Sequence, residues 1–271
     1  YHTIYGAILA MFLPILGYFI YNSEYTFAQK GISFVFLLIF ILALVLSFTR
    51  AAWISLAIAL SIGAIMYFRI NFKLLSLVAI IGLGLFFVTK DRILMKLEKN
   101  RQDSSSNLTE HVQSISNISS DASNLERINR WSAALRMFEK RPSMGFGPGT
   151  YAFKYAPFQF SYEKTIISTN AGNKGNAHSE YIGPLAESGV LGLLTFASIV
   201  IAIFYSGISL YYKMEKSSMR ALLLAIMLGL VTYFVHGFLN NFLDTDKASV
   251  PVWGFAAAIV AIQLDHYKSH E

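Results

Sequence analysis

The chain has 271 residues, 55% of them hydrophobic and 14% charged, and a mean hydropathy of +0.49, more apolar surface than one soluble core can bury. A formal charge of +6 fits the basic loops and anionic-lipid or phosphate sites of a membrane protein better than nucleic-acid binding. The absence of cysteine removes disulfides, zinc–thiolate sites and thiol nucleophiles, and leaves any chemistry to His, Arg, Lys, Asp, Glu, Ser and Tyr.

No signal peptide is read at Tyr1, and the chain is expected to continue upstream. A bilayer span needs about 20 largely apolar residues. Such segments occur at 4–21, 32–48, 51–68, 74–88, 183–212, 219–239 and 249–264. The apolar run 31–68 is too long for one span and is interrupted only at Thr49-Arg50, so it is expected to fold as a hairpin with Arg50 at its tip. Arg69 and Lys73 flank one connection, and Lys213, Lys216 and Arg220 occupy another. The positive-inside rule assigns both to the cytoplasm. Alternation then puts Arg50, the polar segment 90–182 and the turn 244–248 on the outer face. The expected fold is an all-α, polytopic transmembrane helical bundle in three parts. These are 1–89 with four spans, a large outer loop region over 90–182, and 183–271 with three spans.

Within the outer segment, the Ser/Asn-rich stretch 102–124 reads as mobile loop. Ser123 and Glu126 fit a capping box that starts an amphipathic helix over 124–140, ended by Pro142. Its apolar stripe is Ile128, Trp131, Leu135 and Phe138. Arg127 lies on the stripe's edge, Arg130 slightly outside it, and Arg136 faces away, so an Arg136→Ala change is expected to be nearly silent.

Several groups could carry chemistry. A charged Arg50 inside a span would cost on the order of 3 kcal/mol, so it is either a snorkelling residue at a span end or part of an anion site. Gly145-Phe146-Gly147-Pro148-Gly149-Thr150-Tyr151 could turn backbone amides toward an anion. A tight turn is the stronger reading, because Pro148 removes a donor and no Walker A ending follows. His178 lies in Gly175-Asn176-Ala177-His178-Ser179-Glu180-Tyr181. If Asn176 caps a helix, the helix dipole keeps the imidazole neutral and suited to general-base work, and the alternative is a hydrogen-bonded structural histidine. Pro184 and Gly189 imply a kinked helix after it. His236 reads as structural, and Asp244-Thr245-Asp246 as a solvated turn in preference to a metal pair.

Glu126-Arg127-Ile128-Asn129-Arg130-Trp131, then Pro142 and the run 145–151, then His178-Ser179 followed after nine residues by Gly189-Val190-Leu191-Gly192, resembles the O-antigen ligase and O-antigen polymerase superfamily. Thr49-Arg50-Ala51-Ala52-Trp53 is similar to the arginine-bearing start of that homology block. The resemblance implies a GT-C-like helical glycosyltransferase in the bacterial inner membrane, multi-pass, with its active site facing the periplasm and further spans upstream. It implies an undecaprenyl-diphosphate-linked glycan as donor, lipid A core or another glycan or protein as acceptor, inversion at the anomeric carbon, and no metal or other cofactor. His178 is then the general base, while Arg50 and Arg127 hold the diphosphate. Arg127 lies four residues before Trp131 as in the family, and Arg130 is the alternative. Glu180, Tyr181, Gly147 and Gly149 are supporting groups. An O-antigen or exopolysaccharide polymerase and a protein O-oligosaccharyltransferase stay open within the family. A transporter for an anionic or lipid-linked substrate is the reading of another class.

Overall fold

The computed structural model describes residues 2–70, 122–164 and 175–268. Within them run α1 (His2–Tyr21), α2 (Phe27–Leu46), α3 (Arg50–Tyr67), α4 (Ala122–Lys140) and the one-turn α5 (Tyr151–Lys154). Two 3-10 turns (Ala156–Phe158 and Ser161–Glu163) lead on to α6 (Ile182–Lys213), α7 (Ser218–His236) and α8 (Asp246–Lys268). No strand occurs among the described residues. The protein is an all-α polytopic bundle, in which α1, α2, α3, α6, α7 and α8 are long and apolar enough to cross a bilayer. The expected span 74–88 and most of the Ser/Asn-rich stretch 102–124 lie outside the described residues.

A helix that is apolar on every side must be surrounded by apolar matter, either protein or lipid. Protein surrounds α7, whose spanning window is 67% buried, whereas α2 and α6 bury only 6% of theirs and turn apolar faces outward. Met11, Leu223, Met227, Leu230 and Ile259 form the centre around α7. Gly229 lets its neighbours close in, because a Cβ there would stand 2.6 Å from the Met11 carbonyl oxygen and 2.7 Å from the Phe255 ring.

The hairpin tip forms as expected. Phe48 takes a left-handed φ of 50°, and Thr49 Oγ1 donates to the His2 carbonyl at 3.3 Å, tying the tip to the start of α1. α2 begins earlier than the apolar pattern alone implies. Thr26 Oγ1 accepts from Gln29 N, and the Gln29 side chain accepts from Thr26 N at 2.9 Å, a capping box written in the sequence as Thr-x-x-Gln.

The bundle has two unlike ends. One gathers the start of α1, the Phe48–Arg50 turn, α4, the segment before α6 and the loop after α7, the last two joined by the Glu180 N–H donating to the Gly237 carbonyl at 2.8 Å. At the other, Asn22 Nδ2 donates to Ser218 Oγ at 2.7 Å and Tyr18 Oη lies 2.8 Å from the same hydroxyl. Lys30, Arg69, Lys213, Lys216, Arg220 and Lys268 all belong to this second end by their places on the elements.

Candidate active site

His178 is fixed by its own short segment. The Asn176 side chain accepts from the His178 backbone N at 3.1 Å, and His178 holds a φ of 49°, a conformation that L-residues adopt only under constraint. Asn176 therefore caps a turn and no helix. α6 begins later, at Ile182, and Ser179 Oγ accepts from the Tyr181 and Ile182 amides, each at 3.3 Å. The expected first-turn position of His178 is corrected accordingly, and so is the source of its neutrality. Burial first, then the charges of Arg127 and Arg130, lower the imidazole pKa from the ordinary 6.5 to about 4, with Glu126 pulling the other way.

α4 supplies those charges through an unexpected face. Its buried side chains are Glu126, Asn129, Arg130, Ala133, Ala134 and Met137, while Leu125, Ile128 and Leu135 are exposed. Of the expected apolar stripe, Ile128 and Leu135 are thus exposed while Trp131 and Phe138 are half-buried, because the partners of α4 receive a salt bridge and small side chains. Arg130 is 3% exposed, with Nε on Glu126 Oε1 at 2.8 Å and its guanidinium 3.9 Å above the Tyr155 ring. Glu126 accordingly serves Arg130, and the helix already runs from Ala122, so the capping role expected for Glu126 is replaced. Arg130 Nη1 is buried and has no hydrogen-bond acceptor among the described residues. Arg127 Nε donates to the Leu239 carbonyl at 3.1 Å, which docks α4 on the turn at the end of α7, where a cation is favoured. Trp131 Nε1 donates to the His178 carbonyl at 3.4 Å.

The structure therefore brings Arg127, Arg130 and His178 together. Arg50 shares their end of the bundle, half-buried at the first residue of α3, but the charges acting on His178 are those of Arg127, Arg130 and Glu126.

The glycine-rich loop does meet an anion, one of the protein's own. Glu187 Oε2 accepts from Gly149 N at 2.9 Å, Glu187 Oε1 accepts from Tyr151 N at 2.8 Å, and the Glu187 carbonyl accepts from Gly147 N at 2.7 Å. The amides of Gly147 and Gly149 are thus engaged within the fold, and the idea that they face a substrate anion is corrected. Their role is to set α5, where Tyr151 Oη donates to the Arg130 carbonyl at 2.8 Å and Tyr151 stacks on Tyr155 at 5.3 Å. Gly189 takes a φ of 65°, which kinks α6, and a Cβ there would stand 2.5 Å from the Pro142 carbonyl oxygen.

Glu180 and Tyr181 join the His178 segment to α7 and the loop after it. Glu180 Oε1 accepts from Tyr233 Oη at 2.6 Å, Phe242 N at 2.6 Å and Leu243 N at 3.0 Å. Burial raises the pKa of this carboxyl against those hydrogen bonds. Tyr181 Oη donates to the Phe234 carbonyl at 3.1 Å, and its ring stacks on Phe238 at 4.3 Å. Glu180→Ala orphans three donors and is expected to cost about 3 kcal/mol, whereas Glu180→Gln keeps an acceptor and should cost less. Chemical denaturation of both variants checks the order.

Arg136 is not a solvated residue. Nε donates to the Phe158 carbonyl at 2.6 Å, the guanidinium pairs with both Glu163 carboxylate oxygens, and it lies 4.2 Å from the Phe160 ring. Arg136→Ala is therefore expected to lower stability by about 1–2 kcal/mol, read as a drop in Tm, with turnover per folded molecule unchanged. His236 is buried with Nε2 3.1 Å from Asn240 Nδ2. Among the described residues no third His, Asp or Glu gathers with Asp244 and Asp246, and Asp246 opens α8.

The residues that the sequence reading missed are Glu187, Tyr155 and the pairing role of Glu126. Glu187 left a signal, as a carboxylate inside an apolar run that calls for a partner. Tyr155 left none.

A family model described as O-antigen ligase matches residues 34–197, more than half of the chain, and the matched stretch contains Arg50, Arg127, Arg130 and His178. Among curated proteins, none matches the chain.

Proposed function

Because the chain belongs to the O-antigen ligase family, a family of membrane glycosyltransferases, we propose that it transfers a glycan from undecaprenyl diphosphate to an acceptor hydroxyl, with inversion and without a metal. The observation that carries this reading is a half-buried imidazole with a lowered pKa, flanked by two guanidiniums, one of which has a buried N–H with no acceptor among the described residues. A diphosphate oxygen is the natural acceptor for that donor.

In the proposed reaction His178 takes the acceptor hydroxyl proton as the oxygen attacks the anomeric carbon. The bond from that carbon to the diphosphate oxygen breaks, and its electron pair leaves on undecaprenyl diphosphate. Arg127 and Arg130, joined by Arg50, stabilise the charge that grows there, which is the task a metal performs in other transferases. Glu180 and Tyr181 act by positioning the His178 segment. The basic residues at the opposite end support a periplasmic orientation for His178, and lipid A core is the acceptor of the ligase reading.

The test is transfer by the full-length protein from a polyprenyl-diphosphate glycan of known anomeric configuration, in the presence of a divalent-ion chelator. The expected product carries the inverted linkage at an undiminished rate. A retained linkage, dependence on metal, or passage of the donor across liposomes with no new glycosidic bond would overturn the proposal.

A further inference from the structure

At the end of the bundle remote from His178, a cavity of about 640 Å³ opens between α1, α2, α3 and α7, within the range of roughly 300–1,000 Å³ usual for small-molecule sites. Leu13, Pro14, Leu37, Leu56, Leu60 and Leu224 form its apolar walls. Its polar lining lies at the helix ends. Tyr21 closes α1, Tyr67 closes α3, Lys216 stands in the loop before α7 and Arg220 in the first turn of α7. Depth and polarity thus follow those of one bilayer leaflet, with hydrocarbon-like walls beneath a rim of tyrosine and cations.

Two observations indicate what this cavity takes. Arg220 is held rigidly, with Nη1 on the Met214 carbonyl at 3.3 Å and its guanidinium 4.3 Å from the Tyr211 ring. Arg220 is buried but lines the cavity, and exposed Lys216 adds a second positive charge to the lining. Gly17, in the middle of the apolar helix α1 and on the cavity wall, has no atom within 4 Å of where a Cβ would stand. Glycine is a poor helix former, and here its missing side chain leaves the space open.

We propose that this cavity holds an acyl chain of a membrane phospholipid whose anionic headgroup rests on Lys216 and Arg220. The site is separate from the His178 cluster and does not depend on glycan transfer. Such a lipid would fill the space between α1, α3 and α7 and hold the bundle's basic end at the membrane surface.

Native mass spectrometry of the full-length protein in mild detergent, titrated with phosphatidylglycerol, phosphatidylcholine or inorganic phosphate, tests this. Phosphatidylglycerol should be retained about tenfold more tightly than phosphatidylcholine, and Lys216→Ala should remove much of that preference. Gly17→Leu, whose Cβ has no atom within 4 Å, should fold normally and lower retention of both lipids about tenfold or more. Equal retention of the two lipids, undiminished retention by Gly17→Leu, or displacement of phosphatidylglycerol by inorganic phosphate alone would overturn the proposal.

Discussion

His178→Ala in the full-length protein is expected to lower glycan transfer by about 10²–10⁴-fold, the range of a lost general base, while donor binding and membrane insertion persist. The separation follows from the geometry. The side-chain contacts that join this segment to α7 are made by Glu180 and Tyr181, and His178 itself is fixed through its backbone N and carbonyl. Truncating the imidazole leaves all of these in place. Binding of labelled donor, measured beside turnover, distinguishes this from collapse of the site, which would remove both.

Arg127→Ala and Arg130→Ala are each expected to reduce kcat/KM by about 10²–10³-fold, as for a group that stabilises leaving-group charge. They should differ in stability. Arg127 is half-buried and its Nε donates to the Leu239 carbonyl, so its loss should cost less folding energy than that of the buried Arg130. Arg130→Ala breaks the buried pair with Glu126 and removes the cation above Tyr155, so its loss should also lower Tm by several degrees. Arg127→Lys and Arg130→Lys keep the charge but lose the planar fork, and intermediate rates are expected. Full activity in both alanine variants would separate the arginines from the chemistry.

Apolar runs of about 20 residues are an unambiguous signal, which is why the spans that become α1, α2, α3, α6, α7 and α8 were legible, as was the hairpin broken at Thr49-Arg50. The face of α4 was not. Hydrophobic periodicity assumes that an amphipathic helix buries its apolar side, whereas α4 packs through Ala133, Ala134 and the Glu126–Arg130 pair and leaves Leu125, Ile128 and Leu135 outward. Arg130 consequently ranked below Arg127, although both charges act on His178. The Gly145–Tyr151 loop was read chiefly as a tight turn, and no spacing rule pairs its amides with Glu187, which lies 38 residues from Gly149 and meets it only in the folded chain. His178 was found by its motif, and its neutrality was ascribed to a helix dipole where burial and two guanidiniums act.

Those guanidiniums give the central claim its most direct measurement, the pH dependence of transfer. An imidazole held near pKa 4 is neutral at physiological pH but a weak base. A diphosphate on Arg127 and Arg130 would offset their charge and raise the pKa toward its ordinary value, so basicity would rise when the donor is bound. Since kcat/KM reports the free enzyme and kcat the complex, the acid limb of kcat/KM is expected at about pH 4, with the limb of kcat at higher pH. In Arg127→Ala the kcat/KM limb should also move up, because removing a neighbouring cation favours the protonated ring. Coincident limbs near the ordinary imidazole value in the wild-type protein, unmoved by the arginine substitution, would contradict a neutral His178 base beside the donor diphosphate.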